Sequence, residues 1–141
     1  MSTSTSLGFQ VNTLARQMRR AFERELQGSP LTLAQARVLF HLARSPGLRQ
    51  VTLAEMLEVQ PITLARLVDQ LERLQWVERR TDATDRRAHQ LYLTEAAQAP
   101  LKDIERVSLK VRKQVLQGFD PQEVTQLQDL LSRMHNNLTQ I

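Results

Sequence analysis

Residues 51–77 read "VTLAEMLEVQPITLARLVDQLERLQWV", and the proline near their centre decides how they fold. Pro61 lacks an N–H and cannot extend a helix arriving from Val51, yet it suits the first position of a new one. Thr52 stands three residues before Glu55, a pattern that predicts a capping box and a short helix over Leu53–Glu58. Two helices then meet at a tight turn around Val59–Gln60. On the second, Leu64, Leu67, Val68, Leu71 and Leu74 recur at steps of three and four and predict an inward face. Thr63, Arg66, Gln70 and Arg73 fall on another face.

Beyond this stretch the period changes to two. "WVERR" (76–80) and "HQLYL" (89–93) are separated by the turn formers "TDATD" and predict a hairpin. Upstream, Leu7, Val11, Leu14, Met18, Phe22 and Leu26 mark one face of a helix that "GSP" at 28–30 stops. Thr32 caps the next helix, which carries Leu33, Ala36, Leu39, Phe40 and Ala43 and ends at "SPG", 45–47. Downstream, Thr94 and Glu95 start a long helix through about Gln117, with Leu101, Ile104, Val111 and Val115 apolar. Asp120 then caps a final helix with Pro121 at its first position. That helix repeats Val124, Leu127, Leu131, Met134, Leu138 and Ile141 at alternating steps of three and four. The Ser/Thr-rich residues 1–6 are expected to fray. The fold class expected is mainly α with a small β-hairpin wing (α+β), a winged helix-turn-helix in a single domain.

Composition narrows the function by exclusion. The chain has no cysteine, which rules out disulfides, thiolate metal sites and thiol redox sensing within it. His41, His89 and His135 show no ligand spacing, so no metal is expected. Asp82, Asp85 and His89 read as a solvated turn rather than an acid–base cluster. With no Gly-rich phosphate loop and no nucleophile motif, neither an enzyme nor a cofactor is expected. The N-terminus has no secretion signal and no run of apolar residues could span a bilayer, so a cytoplasmic protein that avoids membranes is expected. Nineteen Lys and Arg against fifteen Asp and Glu give a net charge of +4, an excess whose placement matters more than its size.

That placement singles out two segments. In a helix-turn-helix the second helix enters the major groove with its N-terminal residues toward base edges. Here those are Gln60, Pro61, Ile62, Thr63 and Arg66, with Gln70 one turn further on. Arg pairs bidentately with guanine, Gln with adenine, and Thr reaches an edge or a thymine methyl. A polar face of this kind, taken alone, favours plain solvation; the hairpin that follows weighs toward contact. Its tip would lie over a neighbouring minor groove, whose negative potential attracts Arg. Arg86 and Arg87 stand at that tip, whereas Arg79 and Arg80, on the first strand, suit phosphates. Asp82 and Asp85 offer ion-pair partners, so one Arg of each pair can be structural.

The stretch "LAEMLEVQPITLARLVDQLERLQWVERRTDATDRRAHQLYLTEAA" resembles the MarR family of bacterial transcriptional regulators, and the tail resembles its SlyA branch. The most specific element is the "D-R-R-A…L-T" run, beside "RLVDQLE" and "LYLTE". The likeness extends from about Leu7 to Leu138. It implies a homodimer whose terminal helices intertwine and whose two winged heads straddle a pseudo-palindromic operator on double-stranded DNA. It further implies that Arg86 probes the minor groove, that Asp85 and Arg87 hold the wing in shape, and that Thr63 and Arg66 face the major groove. A small aromatic acid or phenol is the implied ligand, near the second helix and the inner faces of the long helices, releasing a repressor. The family usually has Gly where this chain has Gln75, a position that often needs the left-handed conformation.

The stripes at both chain ends argue for a dimer independently, because a small body cannot easily cover both. Leu7, Val11, Leu14 and Met18 form one; Val124, Leu127, Leu131, Met134 and Leu138 form the other. Segments 7–28 and 95–141 are therefore assigned to dimerisation and 32–94 to the winged helix-turn-helix. The alternatives are a protein-docking adaptor and a nonspecific architectural DNA binder.

Overall fold

The computed structural model describes residues 6–140. Helix α1 spans Leu7–Leu26 and α2 spans Leu33–Arg44. A two-residue strand β1, Leu48–Arg49, runs straight into α3, Gln50–Leu57. Helix α4 follows at Pro61–Arg73, then strands β2, Val77–Thr81, and β3, His89–Leu93. A 3-10 turn at Glu95–Ala97 leads into α5, Gln98–Val115, and α6 closes the chain at Pro121–Thr139. The expected fraying of residues 1–5 and the last apolar position, Ile141, lie outside the described residues. Ser6 is not frayed: its hydroxyl accepts the Phe9 N–H and caps α1.

Local chemistry accounts for most boundaries. Thr32 and Gln35 form a reciprocal capping box at α2, and Asp120 and Glu123 form another at α6, with Pro121 at the first helical position. Pro61 opens α4 as expected. The capping box expected at Thr52 does not form. Helix α3 starts three residues earlier, with Arg49 at its N-cap and no side-chain cap, because β1 delivers the chain directly into it.

The hairpin is part of a three-stranded antiparallel sheet of order β1-β3-β2. Strand β1 pairs Leu48 with Leu91 and Arg49 with Gln90; β2 pairs Val77 with Leu93 through to Thr81 with His89. The Leu48–Arg49 strand was not expected, being too short to show a period. Gly47, with φ +82, turns the chain into it, and a Cβ there would sit 2.9 Å from the Tyr92 hydroxyl oxygen.

A continuous core joins the helices to the sheet. Leu64, Val68 and Leu71 of α4 are buried with Val38, Leu39 and Leu42 of α2, Leu53 and Leu57 of α3, Leu91 of β3, and Ile104 and Val107 of α5. Leu67 packs against this cluster from its edge. Leu74, expected inside, is 44% exposed because it caps α4 where the chain leaves the core. Phe40 and Ala43 also face outward; Val38 and Leu42 take the inner positions of α2.

The exit from α4 is a Schellman motif. The Trp76 N–H donates to the Leu71 carbonyl and the Gln75 N–H to that of Glu72, with Gln75 left-handed at φ +65. A non-glycine residue thus takes the conformation that glycine would take without strain. Trp76, packed against the core, follows it directly. Glu58, at φ 56, ends α3 in the same way, its successor Val59 donating to the Ala54 carbonyl.

Candidate nucleic-acid interface

The start of α4 and the wing present one polar surface. Gln60, Pro61, Ile62, Thr63, Arg66 and Gln70 are all exposed, while the opposite side of α4 is sealed in the core. Ile62 is 61% exposed, an uncovered apolar side chain among polar neighbours.

Two aspartate turns build the wing tip. The Asp82 carboxylate accepts the Thr84 N–H at 2.8 Å and its hydroxyl at 2.7 Å. That of Asp85 accepts the Arg87 N–H at 3.0 Å. Backbone bonds from Asp82 N–H to the Ala88 carbonyl and from Ala88 N–H to that of Asp85 close the loop. Asp82 is buried, and Arg49 reaches it from the start of α3 at 2.8 Å. The Thr84 hydrogen bonds, and then Arg49, hold its carboxyl below the usual carboxylate value, with desolvation opposing them. Asp85 does shape the tip, but through the Arg87 main chain rather than its guanidinium. Arg86 and Arg87 are exposed and form no ion pair among the described residues.

The other arginine pair divides. Arg80 stays exposed, bonded to Glu78 at 3.2 Å and stacked on the Tyr92 ring at 4.0 Å from the centroid. Arg79, expected to face phosphates, is turned inward, its side chain only 19% exposed. Its guanidinium donates to Gln50 at 2.9 Å, to Asp69 at 2.6 Å, to Glu72, and to the Ala65 carbonyl at 3.0 Å. Those acceptors use up its reach toward any external partner. Sequence reasoning missed Gln50, Asp69, Glu72 and Arg49 as parts of this surface. The available signal was the pair Asp69 and Glu72, two carboxylates on a helix otherwise suited to a polyanion.

The MarR family model matches residues 29–88. The solved transcriptional regulator PA3341 is 36% identical, its alignment covering 96% of this chain and 100% of that one, with TM-score 0.81. A structure of MarR superposes at TM-score 0.84 with 26% identity, covering 99% of this chain and 95% of the other. The regulator SlyA does so at 0.76 with 28% identity, covering 96% of each. The chain belongs to the MarR family. Its winged-helix fold is thus that of a family of transcriptional regulators.

Away from the MarR-type head, the terminal helices leave much apolar surface uncovered by their own chain. Leu7, Val11, Leu14 and Met18 are exposed on α1, and α6 buries none of its residues. An open groove of about 430 Å³ lies between α1 and α5, lined by Leu14, Met18, Ala21 and Val115 with Arg20 and Arg24. Helix α2, expected beside the ligand, contributes nothing to that lining. On α2, His41 stacks edge-on to Phe40, and burial, then Arg37 and Arg44, push its pKa below the usual value. Among the described residues no cluster of three His, Asp or Glu side chains could hold a metal, and no helix is long and apolar enough to cross a membrane.

Proposed function

We propose that this chain is a homodimeric, sequence-specific DNA-binding regulator of the MarR type that acts as a repressor on a pseudo-palindromic operator. The observation that carries the reading is the shared surface of α4 and the wing. Gln60, Ile62, Thr63, Arg66 and Gln70 are exposed beside a tip whose Arg86 and Arg87 are unpaired among the described residues. In the proposed complex α4 lies in the major groove, with Arg66 on a guanine edge and Thr63 beside it. Arg86 enters the adjoining minor groove, while Arg80 and Arg87 meet phosphates. Asp85 serves by fixing the turn.

One head cannot read a palindrome. Two recognition helices about 34–36 Å apart, one turn of B-DNA, are needed to enter successive major grooves. The uncovered stripes on α1 and α6 supply the means of pairing, which assigns 7–28 and 95–141 to the dimer body and 32–94 to the head. A small aromatic acid or phenol is the proposed effector. The α1–α5 groove supports that chemistry, since it offers apolar walls with two arginines for a carboxylate or phenolate. Because Leu14 and Met18 also belong to the dimer stripe, a ligand there would alter the spacing of the heads.

The test is selection of bound duplexes from random DNA, followed by a salt titration on the best site. A pseudo-palindromic consensus is expected, with affinity falling by a log–log slope of about −0.9 per neutralised phosphate. Binding without any preferred sequence would leave an architectural binder. A salt-insensitive protein partner with no DNA affinity would leave a docking adaptor.

A further inference from the structure

Backbone pairing and the aspartate turns at the tip make the hairpin: β2 and β3 run antiparallel over five residues each, and β1 flanks β3. Arg79, at the middle of β2 opposite Leu91, is not needed for that pairing. Its acceptors lie elsewhere, on Gln50 at the start of α3 and on Ala65, Asp69 and Glu72 of α4. One side chain therefore fastens the wing to both helices of the helix-turn-helix. It also neutralises two carboxylates that would otherwise stand on the same helix as Arg66 and Gln70. A guanidinium has the planar fork of donors for several acceptors at once, which an ammonium lacks.

We infer that Arg79 is a positioning residue: it sets the angle and distance between the wing and α4, and so fixes where Arg86 arrives when α4 is seated. The inference rests on the DNA-binding reading above. A wing hinged only at its strands could swing, and Arg86 would then lose the fixed placement that a narrow groove demands. Arg49, bonded to Asp82, ties the far end of the wing to α3. At the stem, buried Val77 and the Arg79 main-chain N–H, which donates to Glu72 at 3.4 Å, also hold the wing, and the Arg79 guanidinium adds its bonds to α4.

The experiment is a double-mutant cycle in the full-length dimer on the selected operator, with Arg79→Gln and Arg79→Lys each made alone and with Arg86→Ala. Arg79→Gln is expected to weaken binding about tenfold, and Arg86→Ala to add little in that background, because coupled residues are not additive. Arg79→Lys keeps the charge without the fork and is expected to recover only part of the loss. Fully additive penalties, or complete rescue by Lys, would overturn the inference. A second measurement needs no DNA: amide exchange over residues 77–93 should quicken in Arg79→Gln while α1 and α2 keep wild-type rates, and unchanged exchange there would also overturn it. If the wild-type chain binds no operator, the DNA reading fails and the exchange result still decides whether Arg79 holds the wing. Should Arg79→Gln not fold, Asp69→Asn removes one exposed acceptor and is put through the same two measurements.

Discussion

The Thr94 hydroxyl donates to the main-chain carbonyl of Gln75, and the Thr94 N–H donates to that of Trp76 at 3.0 Å. The residue that leaves β3 thus pins the residue that leaves α4, holding Gln75 at φ +65. A side chain in that region costs roughly 1–2 kcal/mol that glycine does not incur, partly offset by glycine's larger entropy when unfolded. Gln75→Gly is therefore expected to stabilise the fold by about 1 kcal/mol in urea denaturation, with an unchanged slope. Operator affinity should stay the same, since the Thr94 bonds reach only the backbone. A destabilised variant would mean that the glutamine side chain itself contributes.

Two depressed pKa values make acid unfavourable to the fold. His41 is held below its usual 6.5, so near neutrality the unfolded chain binds more protons than the folded one. Its contribution is complete above 6.5 and is lost as pH falls through the lowered folded value. Asp82 behaves alike from its usual 3.8 downward, so it acts only in stronger acid. The melting temperature should drop between about pH 7.5 and about pH 5.5, and His41→Gln should flatten that part of the profile. Asp82→Asn, which breaks the ion pair to Arg49, should lower Tm wherever Asp82 is ionised, near-neutral pH included, without changing the near-neutral slope. An unchanged profile in His41→Gln would show that His41 is not the group responsible.

The sequence made legible what nearby residues enforce. Pro61 sets the start of α4, Asp120 and Glu123 set that of α6, and "TDATD" marks the wing turn, because each acts within a few bonds of itself. Thr52 misled for the complementary reason: its pattern is right for a cap, but the chain is already helical when it arrives from β1. That one Arg of the 79/80 pair can be structural was legible, but which one, and on what partners, was not, since Gln50 lies 29 residues away and Ala65 lies 14 away, brought close only by the packing of α3, α4 and β2. On β2's alternation Arg79 and Arg80 look alike; the partner on each side of the strand separates them.

On DNA the two exposed arginine sites should fail differently. Arg86→Ala removes a cation from a narrow groove, so the loss should be greatest on operators whose flanks are A·T-rich. Equal affinity with and without Arg86 would refute its role. Arg66→Ala should instead relax preference at one base pair per half-site by about 1–3 kcal/mol. A uniform loss across all sequences would reduce Arg66 to a phosphate contact.

Dimerisation is tested where the chain leaves itself most exposed. Helix α6 runs 19 residues without burying one of them, and Leu131 and Leu138 are 49% and 73% exposed. Most helical stability in proteins comes from packing an apolar face, so in the proposed dimer the partner copy supplies the surface that covers α6. Leu131→Glu puts a charge into that stripe, where burial of one Leu contributes roughly 1.5–3 kcal/mol. By sedimentation the variant should shift toward monomer, with a loss of helical circular dichroism confined to about one helix. Operator binding should fall with it, since a single head engages one half-site, while the core around Leu64 and Leu91 keeps its cooperative melt. A variant that stays dimeric, with α6 intact, would mean that the two copies meet through another face.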